Sequence, residues 1–505
     1  MSKITFVPPP IDGINRISDP ATFGPREARE LDNYYIYDWG IRERGALNYY
    51  TLTGGAPISM YSFASAGKYG TLMGSTNGHI YRYNAGDNSF TDLSGPGNSI
   101  SQMFSYQKKV FMCDVATSAV STYDLATDAY AATSFTGIGG DYPTFGFVHK
   151  NRVYLLFYGK SYFKYGPVGG VGGALSSSYD VGQFFQLPAQ NLVWGAAWSF
   201  NEGVNNDTLF VVGNELGEVF IYHGEYPESA SWTLDTKVNI PAPLMANYAS
   251  NTSNCSILPI GQDIYINTAR GAISLKQVLA GNKGSGEESY YTISRKIGYV
   301  LQRGLADRST LYPFAYFVGG TGATYGQVIY VLNYERGAWS TFAGVTSSSN
   351  YILCNSCAAP PNGGAMSNPP SSYVLFGLTD GRIARINESD STGEGVTYKW
   401  STPFIDFGTS GNKQIASRVI RVVGRDMASN SIINSVSCTT DFNDSVAGAV
   451  SGGTKTVSDK GYKTQELAPA AVGRQISYTF SKTGSTSQQN EIAGFSVVYD
   501  EGGLQ

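Results

Sequence analysis

Short runs of apolar and β-branched residues recur along the chain in pairs, and each pair is separated by a turn that contains glycine. The clearest pairs lie at residues 70–81, 209–222 and 374–385, with Gly78, Gly217 and Gly381 in their turns. Two strand-forming runs joined by a Gly, Asn or Asp turn are typical of a β-hairpin. Strongly periodic helical stretches are nearly absent. The pattern therefore predicts a series of antiparallel hairpins.

Weaker copies of the same unit occupy residues 110–123, 153–165, 264–275 and 328–342. The turns then fall near residues 78, 119, 159, 217, 271, 337 and 381, about 40 to 65 residues apart. That interval suits a four-stranded blade with outer loops of variable length, and radial repetition of blades protects the sheet edges. An array of β-sandwiches is the competing architecture, but its single strands would recur at shorter intervals. We predict an all-β fold with a seven-bladed β-propeller.

The repeat is missing at both ends of the chain. Residues 1–55 are rich in Pro, Tyr and Arg, and we expect an extended N-terminal arm or platform segment there, with a short helix at residues 25–31. Residues 56–394 would form the propeller. Residues 395–505 hold further alternating runs, including 417–423 and 475–480, and they predict a separate small C-terminal β-domain.

The composition of the 505 residues favours strands and tight turns over surface helices. Charged residues make up 15%, and the chain has 36 Tyr, 25 Phe and 60 Gly. The 35 basic and 39 acidic residues leave a formal net charge of −4, so any contact with nucleic acid is expected to be weak or transient. No apolar run reaches the ~20 residues that span a bilayer. The first ten residues lack the pattern of a secretory signal, and the five scattered cysteines are expected to be free thiols.

Two segments have the residue types of a metal, redox or nucleotide site without the full spacing. Cys354 and Cys357 are spaced like half a zinc site or a redox pair, but no second pair accompanies them and the three histidines are scattered. The glycine-rich segment 166–173 resembles a phosphate-binding loop only superficially, because Pro167 interrupts it and no Lys-Ser or Lys-Thr follows. We expect no metal and no cofactor at either segment.

A propeller-type glycoside hydrolase would need two carboxylates at a suitable distance from each other. The candidates that could face a central channel are Asp141, Asp180, Glu215, Glu218 and Asp263, and their spacing singles out no pair. The sequence also lacks the nucleophile motif Gly-x-Ser-x-Gly. Since function has to be argued from a site, we expect that the chain is not an enzyme and has no catalytic residues.

Aromatic and basic residues offer two possible contact surfaces. Residues 32–39 and 158–165 contain clusters of aromatic rings that could stack on bases or sugars, although packing within strands explains them more simply. Arg42, Arg44, Lys108 and Lys109 are expected to be solvated surface charges and not a patch for a partner.

Several segments, taken in order, resemble the packaged-DNA stabilisation proteins, or tail hub (nozzle) proteins, of short-tailed bacteriophages. The head is similar in Ile11-Asp-Gly-Ile-Asn15, Glu30-Leu-Asp-Asn33 and Gly40-Ile-Arg-Glu-Arg-Gly45, where the family has a GINTRD start, a DNWFP element and an LRRG turn. Further similar segments are Gly146-Phe-Val-His-Lys-Asn-Arg-Val-Tyr154, Tyr165-Gly-Pro-Val-Gly-Gly-Val-Gly-Gly-Ala174, Gly217-Glu-Val-Phe-Ile-Tyr-His-Gly224 and Asp406-Phe-Gly408 with Lys413. The likeness spans about 400 residues. Tyr34 and Tyr35 replace the family's Trp-Phe, and the likeness fades after about residue 425.

The resemblance implies a structural subunit of the virion tail that is assembled in the host cytoplasm. It implies contacts with copies of itself in a ring, expected to be a hexamer, below the portal and adaptor proteins. Tail fibres, spikes or a terminal plug would be further partners. The ring would retain packaged genomic DNA and conduct it during ejection, with weak, transient contacts in the channel. The alternative is a receptor- or carbohydrate-binding propeller protein of the virion, which could also degrade glycans.

Overall fold

The computed structural model of the chain describes residues 2–502 apart from these stretches: 20–21, 46, 66–67, 85–86, 96, 132–134, 182–189, 200–207, 247–253, 256, 261, 282–291, 298–305, 309–313, 320–326, 346–349, 359–372, 388–395, 410–412, 426–432, 441–444, 449–454, 458–461, 470 and 485–489. The only α-helix in these residues is α1 (Leu275–Leu279), and short 3₁₀ helices lie at Gly97–Ser99 and Arg295–Ile297. None of the helices in the described part of the chain has the length and apolar character needed to cross a membrane.

Strands make up most of the described chain. The head contributes β1 (Lys3–Val7), β2 (Glu30–Asp32), β3 (Tyr34–Ile36), β4 (Ile41–Glu43) and β5 (Leu47–Thr51). The middle of the chain contributes β6 (Pro57–Ser65), β7 (Lys68–Ser75), β8 (Ile80–Asn84), β9 (Ser89–Ser94), β10 (Ile100–Tyr106), β11 (Lys109–Asp114), β12 (Ala119–Asp124), β13 (Ala129–Ala131), β14 (Phe135–Thr136), β15 (Pro143–His149), β16 (Arg152–Phe157), β17 (Tyr162–Tyr165), β18 (Gly173–Ala174), β19 (Tyr179–Asp180), β20 (Leu192–Ser199), β21 (Thr208–Asn214), β22 (Glu218–His223), β23 (Thr233–Asn239), β24 (Met245–Ala246), β25 (Asn254–Cys255), β26 (Ile257–Ile260), β27 (Asp263–Thr268), β28 (Gly271–Ser274), β29 (Ala306–Arg308), β30 (Phe314–Gly319), β31 (Val328–Asn333), β32 (Ala338–Phe342), β33 (Ile352–Ala358), β34 (Tyr373–Leu378) and β35 (Arg382–Asn387). The C-terminal part contributes β36 (Val396–Ser401), β37 (Ile415–Arg425), β38 (Ser435–Thr440), β39 (Ser445–Gly448), β40 (Lys455–Val457), β41 (Tyr462–Leu467), β42 (Ala471–Gly473), β43 (Ile476–Gly484) and β44 (Glu491–Glu501).

The middle of the chain is a β-propeller. Five separate four-stranded sheets have the strand orders β6-β7-β8-β9, β10-β11-β12-β13, β15-β16-β17-β19, β20-β21-β22-β23 and β33-β34-β35-β5. A sixth four-stranded blade, β29-β30-β31-β32, forms one end of a larger sheet. The first strands of neighbouring blades contact one another, as in β6 with β10 and β10 with β15. The predicted all-β propeller is therefore confirmed, with six four-stranded blades in the described part of the chain.

Each of the seven hairpins predicted from the sequence is an antiparallel strand pair. Six of them are β7 with β8, β11 with β12, β16 with β17, β21 with β22, β31 with β32 and β34 with β35. The seventh is β27 with β28, and it belongs to a three-stranded sheet with β26 as its first strand. Strand β26 contacts both β20 and β29. This sheet therefore lies between two of the four-stranded blades.

The ring of blades is closed by a strand from the head of the chain. Strand β5 pairs with β35, with Leu47 opposite Ile386 and Thr51 opposite Arg382. It is the fourth strand of the blade that begins with β33, and β33 in turn contacts β6. The last blade is thus built from both ends of the propeller sequence, which joins the first and last blades without an open gap.

Inter-blade packing depends on glycine at the first strand of a blade. A Cβ atom on Gly146 would lie 2.2 Å from Cε1 of Phe104, and a Cβ atom on Gly195 would lie 2.3 Å from Cε1 of Phe147. In both cases an aromatic ring from one blade lies against the backbone of the next. Side chains at either glycine would push neighbouring blades apart, because protein interiors have little free volume.

The C-terminal strands and most of the head strands form two packed sheets. One sheet has the order β3-β4-β44-β37-β41-β40, with β1 paired to β44 and β42 paired to β37. The other contains β2-β36-β43-β38-β39 and continues through β2 into the blade β29–β32. Between them, the ring of Phe495 lies 5.4 Å from that of Trp400 and 4.9 Å from that of Phe480. We call this unit the C-terminal sandwich.

The head differs in two ways from the expected arm with a short helix. The helix predicted at residues 25–31 is wrong: residues 25–26 form a turn, Ala28 bridges to Ile14, and Glu30 begins β2. Backbone pairing with distant strands replaces the local helical hydrogen bonds at these residues. The strands of the head pair with blades and with the C-terminal sandwich. The hydrogen bonds between the head strands and later strands join residues on both sides of the boundary predicted at residue 55. The division of the chain into three parts stays a prediction.

Candidate functional site

The head segment at residues 11–15 is fixed to strand β32 and to the turn before it. The backbone N–H of Ile14 donates to the carbonyl of Trp339 at 2.9 Å, and Arg336 Nε donates to the carbonyl of Ile11 at 3.1 Å. Gly13 has a φ of +79°, and a Cβ atom there would lie 2.5 Å from the backbone nitrogen of Trp339. Any other residue would be strained and would clash, so this glycine has a structural explanation.

The second and third head segments meet through Asn33 and Arg44. Asn33 is 2% exposed, and its side-chain oxygen accepts from Arg44 Nε at 2.7 Å and from the backbone N–H of Ala343 at 3.1 Å. Its side-chain nitrogen donates to the carbonyl of Thr397 at 2.6 Å. The hydroxyl of Tyr398 donates to the carbonyl of Arg44 at 2.9 Å. One asparagine therefore connects the head, the blade that ends in β32, and strand β36 of the C-terminal sandwich.

Arg44 is not the solvated surface charge that we expected. It is 1% exposed, and its guanidinium donates to the carbonyls of Gly45 and Ala343 at 3.1 and 3.4 Å in addition to Asn33. The guanidinium lies 5.4 Å from the centre of the Phe342 ring. Burial lowers the pKa of Arg44, but an arginine remains charged under all ordinary conditions. Neutral oxygen atoms and an aromatic ring thus hold this buried charge.

A buried ion pair lies beside Arg44. Glu43 is 0% exposed, and its two carboxylate oxygens each accept from Lys482 Nζ at 3.0 Å. The backbone N–H and the side-chain nitrogen of Asn490 donate to the same carboxylate at 3.1 and 3.2 Å. We call this set the junction cluster; its members are Asn33, Glu43, Arg44, Tyr398, Lys482 and Asn490. It connects β4 of the head to the C-terminal strands.

The segments 146–154, 165–174 and 217–224 in the middle of the chain also contact one another. His149 Nε2 lies 3.2 Å from the carbonyl of Gly224, and Arg152 donates to the carbonyl of Gly166 at 3.1 Å. The guanidinium of Arg152 lies 4.3 Å from the centre of the Tyr226 ring. In the C-terminal part, the ring of Phe407 lies 4.6 Å from that of Tyr499. These contacts join blades and strands to one another.

The five candidate carboxylates lie on or beside three different sheets. Asp141 accepts from Lys164 at 3.0 Å, and Glu215 accepts from Asn191 at 3.0 Å. Glu218 pairs with Lys237, Asp263 accepts from Ser274, and Asp180 lies on the outer strand β19. None of the five lies on the first strand of its blade, which is the strand nearest the propeller axis. Four of the five carboxylates are therefore hydrogen-bonded to, or paired with, side chains of the protein itself.

Both cysteines of the predicted pair, Cys354 and Cys357, lie on strand β33. The Cys354 thiol is buried and donates to the carbonyl of Pro57 at 3.4 Å. Cys113, Cys354 and Cys438 are free thiols, as expected, while the side chains of Cys255 and Cys357 lie outside the described part. Among the described residues, no group of three or more His, Cys, Asp and Glu side chains could hold a metal ion.

The glycine-rich segment 166–173 uses its backbone N–H groups within the protein. Gly166, Gly169 and Gly170 donate to the carbonyls of Val153, Asn151 and Pro167 at 2.8, 2.7 and 3.1 Å. A phosphate-binding loop needs such N–H groups free to point at the ligand. This segment is a packed turn.

The aromatic clusters are mostly interior. Tyr34 and Tyr35 are 0% and 1% exposed, whereas Trp39 is 47% exposed and stacks on Tyr37 with the ring centres 5.5 Å apart. The second cluster has one exposed ring, Tyr158. Strand packing thus accounts for most of these rings, and the Tyr37–Trp39 stack remains on the surface.

The strands nearest the propeller axis are almost free of charge. Strands β6, β10, β15, β20, β26 and β33 contain no Asp, Glu, Lys or Arg. Strand β29 contains Asp307 and Arg308. The described inner wall therefore offers few groups for acid–base catalysis or for phosphate binding.

No protein-family model and no curated protein matches the chain.

Proposed function

We propose that the chain is a structural subunit of a short phage tail and acts without catalysis. In this proposal it forms the hub or nozzle ring below the portal and adaptor, retains packaged DNA and conducts it during ejection. The observation that carries the proposal is the placement of the phage-like head segments. Two of these segments, residues 30–33 and 40–45, meet in the junction cluster, which connects the head, a blade and the C-terminal sandwich.

Buried, mutually bonded residues are what a shared scaffold requires. A catalytic or ligand-binding motif would present polar groups to a solvent-accessible pocket. Asn33 and Arg44 instead satisfy backbone groups of three parts of the chain. The likeness of these segments to the phage tail hub proteins therefore supports an architecture shared with that family. The function that we propose is the one that this resemblance implies.

The composition supports large permanent interfaces. Interface cores are enriched in aromatic residues and depleted of charged ones, and this chain has 13% aromatic and 15% charged residues. Head-to-tail contacts between identical subunits close into a ring, and we propose a hexamer in the virion tail, assembled in the host cytoplasm. Fibres, spikes or a terminal plug would bind its free surfaces. A formal net charge of −4 suits weak, transient contact with DNA.

We also propose that the three-stranded sheet β26-β27-β28 is the seventh blade. Its first strand contacts the first strands of the blades before and after it, in the same way as in the rest of the ring. Density from high-resolution electron microscopy, viewed along the propeller axis, should show seven radial sheets. Six sheets with β20 directly against β29 would contradict this count.

The ring is tested by mass photometry and electron microscopy of the purified chain, alone and with isolated portal–adaptor complexes. The expected result is a closed ring of defined symmetry, or recruitment of the chain to the adaptor. A persistent monomer that ignores the adaptor would overturn the proposal.

The second candidate is a receptor- or carbohydrate-binding propeller protein of the virion, and the exposed Tyr37–Trp39 stack favours it. Stacked, solvent-facing rings can bind the apolar face of a sugar. If this candidate is right, the chain should bind host surface glycans on an array, and Trp39→Ala should abolish the binding. The matched control is Tyr351→Ala, which removes another exposed ring (37% exposed). Equal loss in both variants, or no binding at all, would contradict it.

A further inference from the structure

The C-terminal sandwich carries a face lined by hydroxyl groups. Glu30 on β2 lies opposite Ser401 on β36, and Ser401 lies opposite Thr479 on β43. Thr479 in turn lies opposite Ser437 on β38. Directly opposite residues of paired strands share one face of a sheet, so this row places polar groups side by side across four strands. The hydroxyls of Ser401 and Thr479 are 2.9 Å apart.

A polar pocket of ≈ 380 Å³ opens where this row meets the head. Its lining residues are Arg16, Arg29, Glu30, Ser401, Thr439 and Thr479. All six are polar, so the pocket has two guanidinium groups, three hydroxyls and one carboxylate. Apolar surface for a lipid or a hydrophobic ligand is lacking among these residues.

The backbone holds both arginines in place. The N–H of Arg29 donates to the carbonyl of Ser401 at 2.9 Å, and the N–H of Arg16 donates to the carbonyl of Lys296 at 2.7 Å. The guanidinium of Arg29 lies 5.2 Å from the centre of the Phe404 ring, and its Nη1 is 3.5 Å from the hydroxyl of Ser477. In the described part of the chain, neither Arg16 nor Arg29 forms an ion pair with a carboxylate. Arg29 acts electrostatically on Glu30, and Arg16 acts on Asp32 and is hydrogen-bonded to the hydroxyl of Tyr330. Both guanidinium groups also line the pocket.

The carboxylate of the pocket is neutralised by the protein itself. Lys399 Nζ lies 2.6 Å from Glu30 Oε2, and the hydroxyl of Ser401 donates to the same oxygen at 2.9 Å. Partial burial favours the neutral acid, but the hydrogen bonds from Lys399 and Ser401 outweigh it and lower the pKa of Glu30. The charges that act on one another here are those of Arg16, Arg29 and Lys399 against those of Glu30 and Asp32. Three cations and two carboxylates leave one net positive charge at the pocket.

We propose that this pocket binds a phosphate-type oxyanion. Guanidinium groups match the oxygen geometry of phosphate through paired N–H donors. Arg29 and Arg16 would donate charge-assisted hydrogen bonds, and the hydroxyl of Thr439 would donate to a remaining oxygen. The site lies on the C-terminal sandwich, away from the propeller axis, and it does not depend on the proposed tail function. The oxyanion is either free phosphate or the terminal group of a phosphate monoester.

The test is isothermal titration of the full chain with inorganic phosphate and, separately, with glycerol 3-phosphate at constant ionic strength. Binding of either probe is expected, and the tighter of the two identifies the source of the oxyanion. Arg29→Gln should weaken binding about tenfold or more, as the loss of a charge-assisted hydrogen bond implies. Arg16→Gln, at an exposed position, should weaken it as well.

The matched control is Arg418→Gln, on the other sheet of the sandwich, where Arg418 pairs with Asp500 at 3.0 Å. This variant should bind both probes as the wild type does. Failure of the wild type to bind either probe would overturn the proposal, and so would equal binding by the Arg16→Gln and Arg418→Gln variants. Circular dichroism of each variant establishes that it is folded before binding is compared.

Discussion

Replacing Lys482 with methionine should be one of the most damaging single changes in the C-terminal sandwich. Lys482 is 3% exposed and is the only described cation that pairs with Glu43, which is 0% exposed. Methionine fills a similar volume but leaves the carboxylate buried without its counter-charge. Removing one partner of a buried ion pair costs about 3–5 kcal/mol, so the free energy of unfolding should fall by that amount. Asn490 would continue to donate two hydrogen bonds, which places the expected loss nearer the lower end.

Urea unfolding followed by circular dichroism measures this loss. The double variant Glu43→Gln with Lys482→Met should recover most of the stability, because it buries no unpaired charge. The matched control is Lys413→Met, which removes an exposed lysine that pairs with Glu501 at 3.1 Å and should leave the unfolding midpoint unchanged. The reasoning would be refuted if Lys482→Met and Lys413→Met unfolded at the same urea concentration, or if the double variant were no more stable than Lys482→Met alone.

Two further outcomes follow from buried or paired titratable groups. Burial raises the pKa of the thiols of Cys113, Cys354 and Cys438, and it raises that of Cys438 to about 12. Iodoacetamide at pH 8 should therefore leave all three thiols unmodified in the folded chain and label them after denaturation, as measured by site-resolved mass spectrometry. Rapid labelling of any of the three in the native state would contradict their burial. Burial favours the neutral acid at Asp141, but hydrogen bonds, including one from Lys164, lower the pKa of this carboxyl below 3.8. The ionised carboxylate should therefore stabilise the fold above that pH, and this stabilisation should be lost as the pH falls further. Melting temperatures measured from pH 5 to pH 2.5 should accordingly fall less steeply for Asp141→Asn than for the wild type, and parallel curves would contradict the assignment.

The hairpins could be predicted because their causes are local. Alternation with period two sets which residues face the sheet interior, and a turn such as the one at Gly381 needs a residue that tolerates positive φ. Both signals lie within about a dozen residues, and all seven hairpins are present. The prediction of a short helix near Ala28 was wrong for the opposite reason. The backbone of Ala28 is hydrogen-bonded to Gly13 and Asn15, and no local propensity indicates this pairing.

The candidate sites were harder to predict than the blades. Arg44 has the sequence surroundings of a surface residue, and only the approach of Asn33, Phe342 and Ala343 makes it interior. The polar pocket draws its lining from residues 16 to 479, and no spacing within the chain connects them.

The sequence by itself determined the strand content, the hairpin turns and the low charge of the chain, since each depends on composition or on neighbours a few residues apart. Tertiary structure alone decided that β5 closes the ring, that β2 joins a blade to the C-terminal sandwich, and that Glu43 meets Lys482. The physical reason is that a strand edge can pair with many other edges of similar pattern. Which pairing forms depends on the total burial and hydrogen bonding of the whole chain, and these are summed over residues hundreds of positions apart.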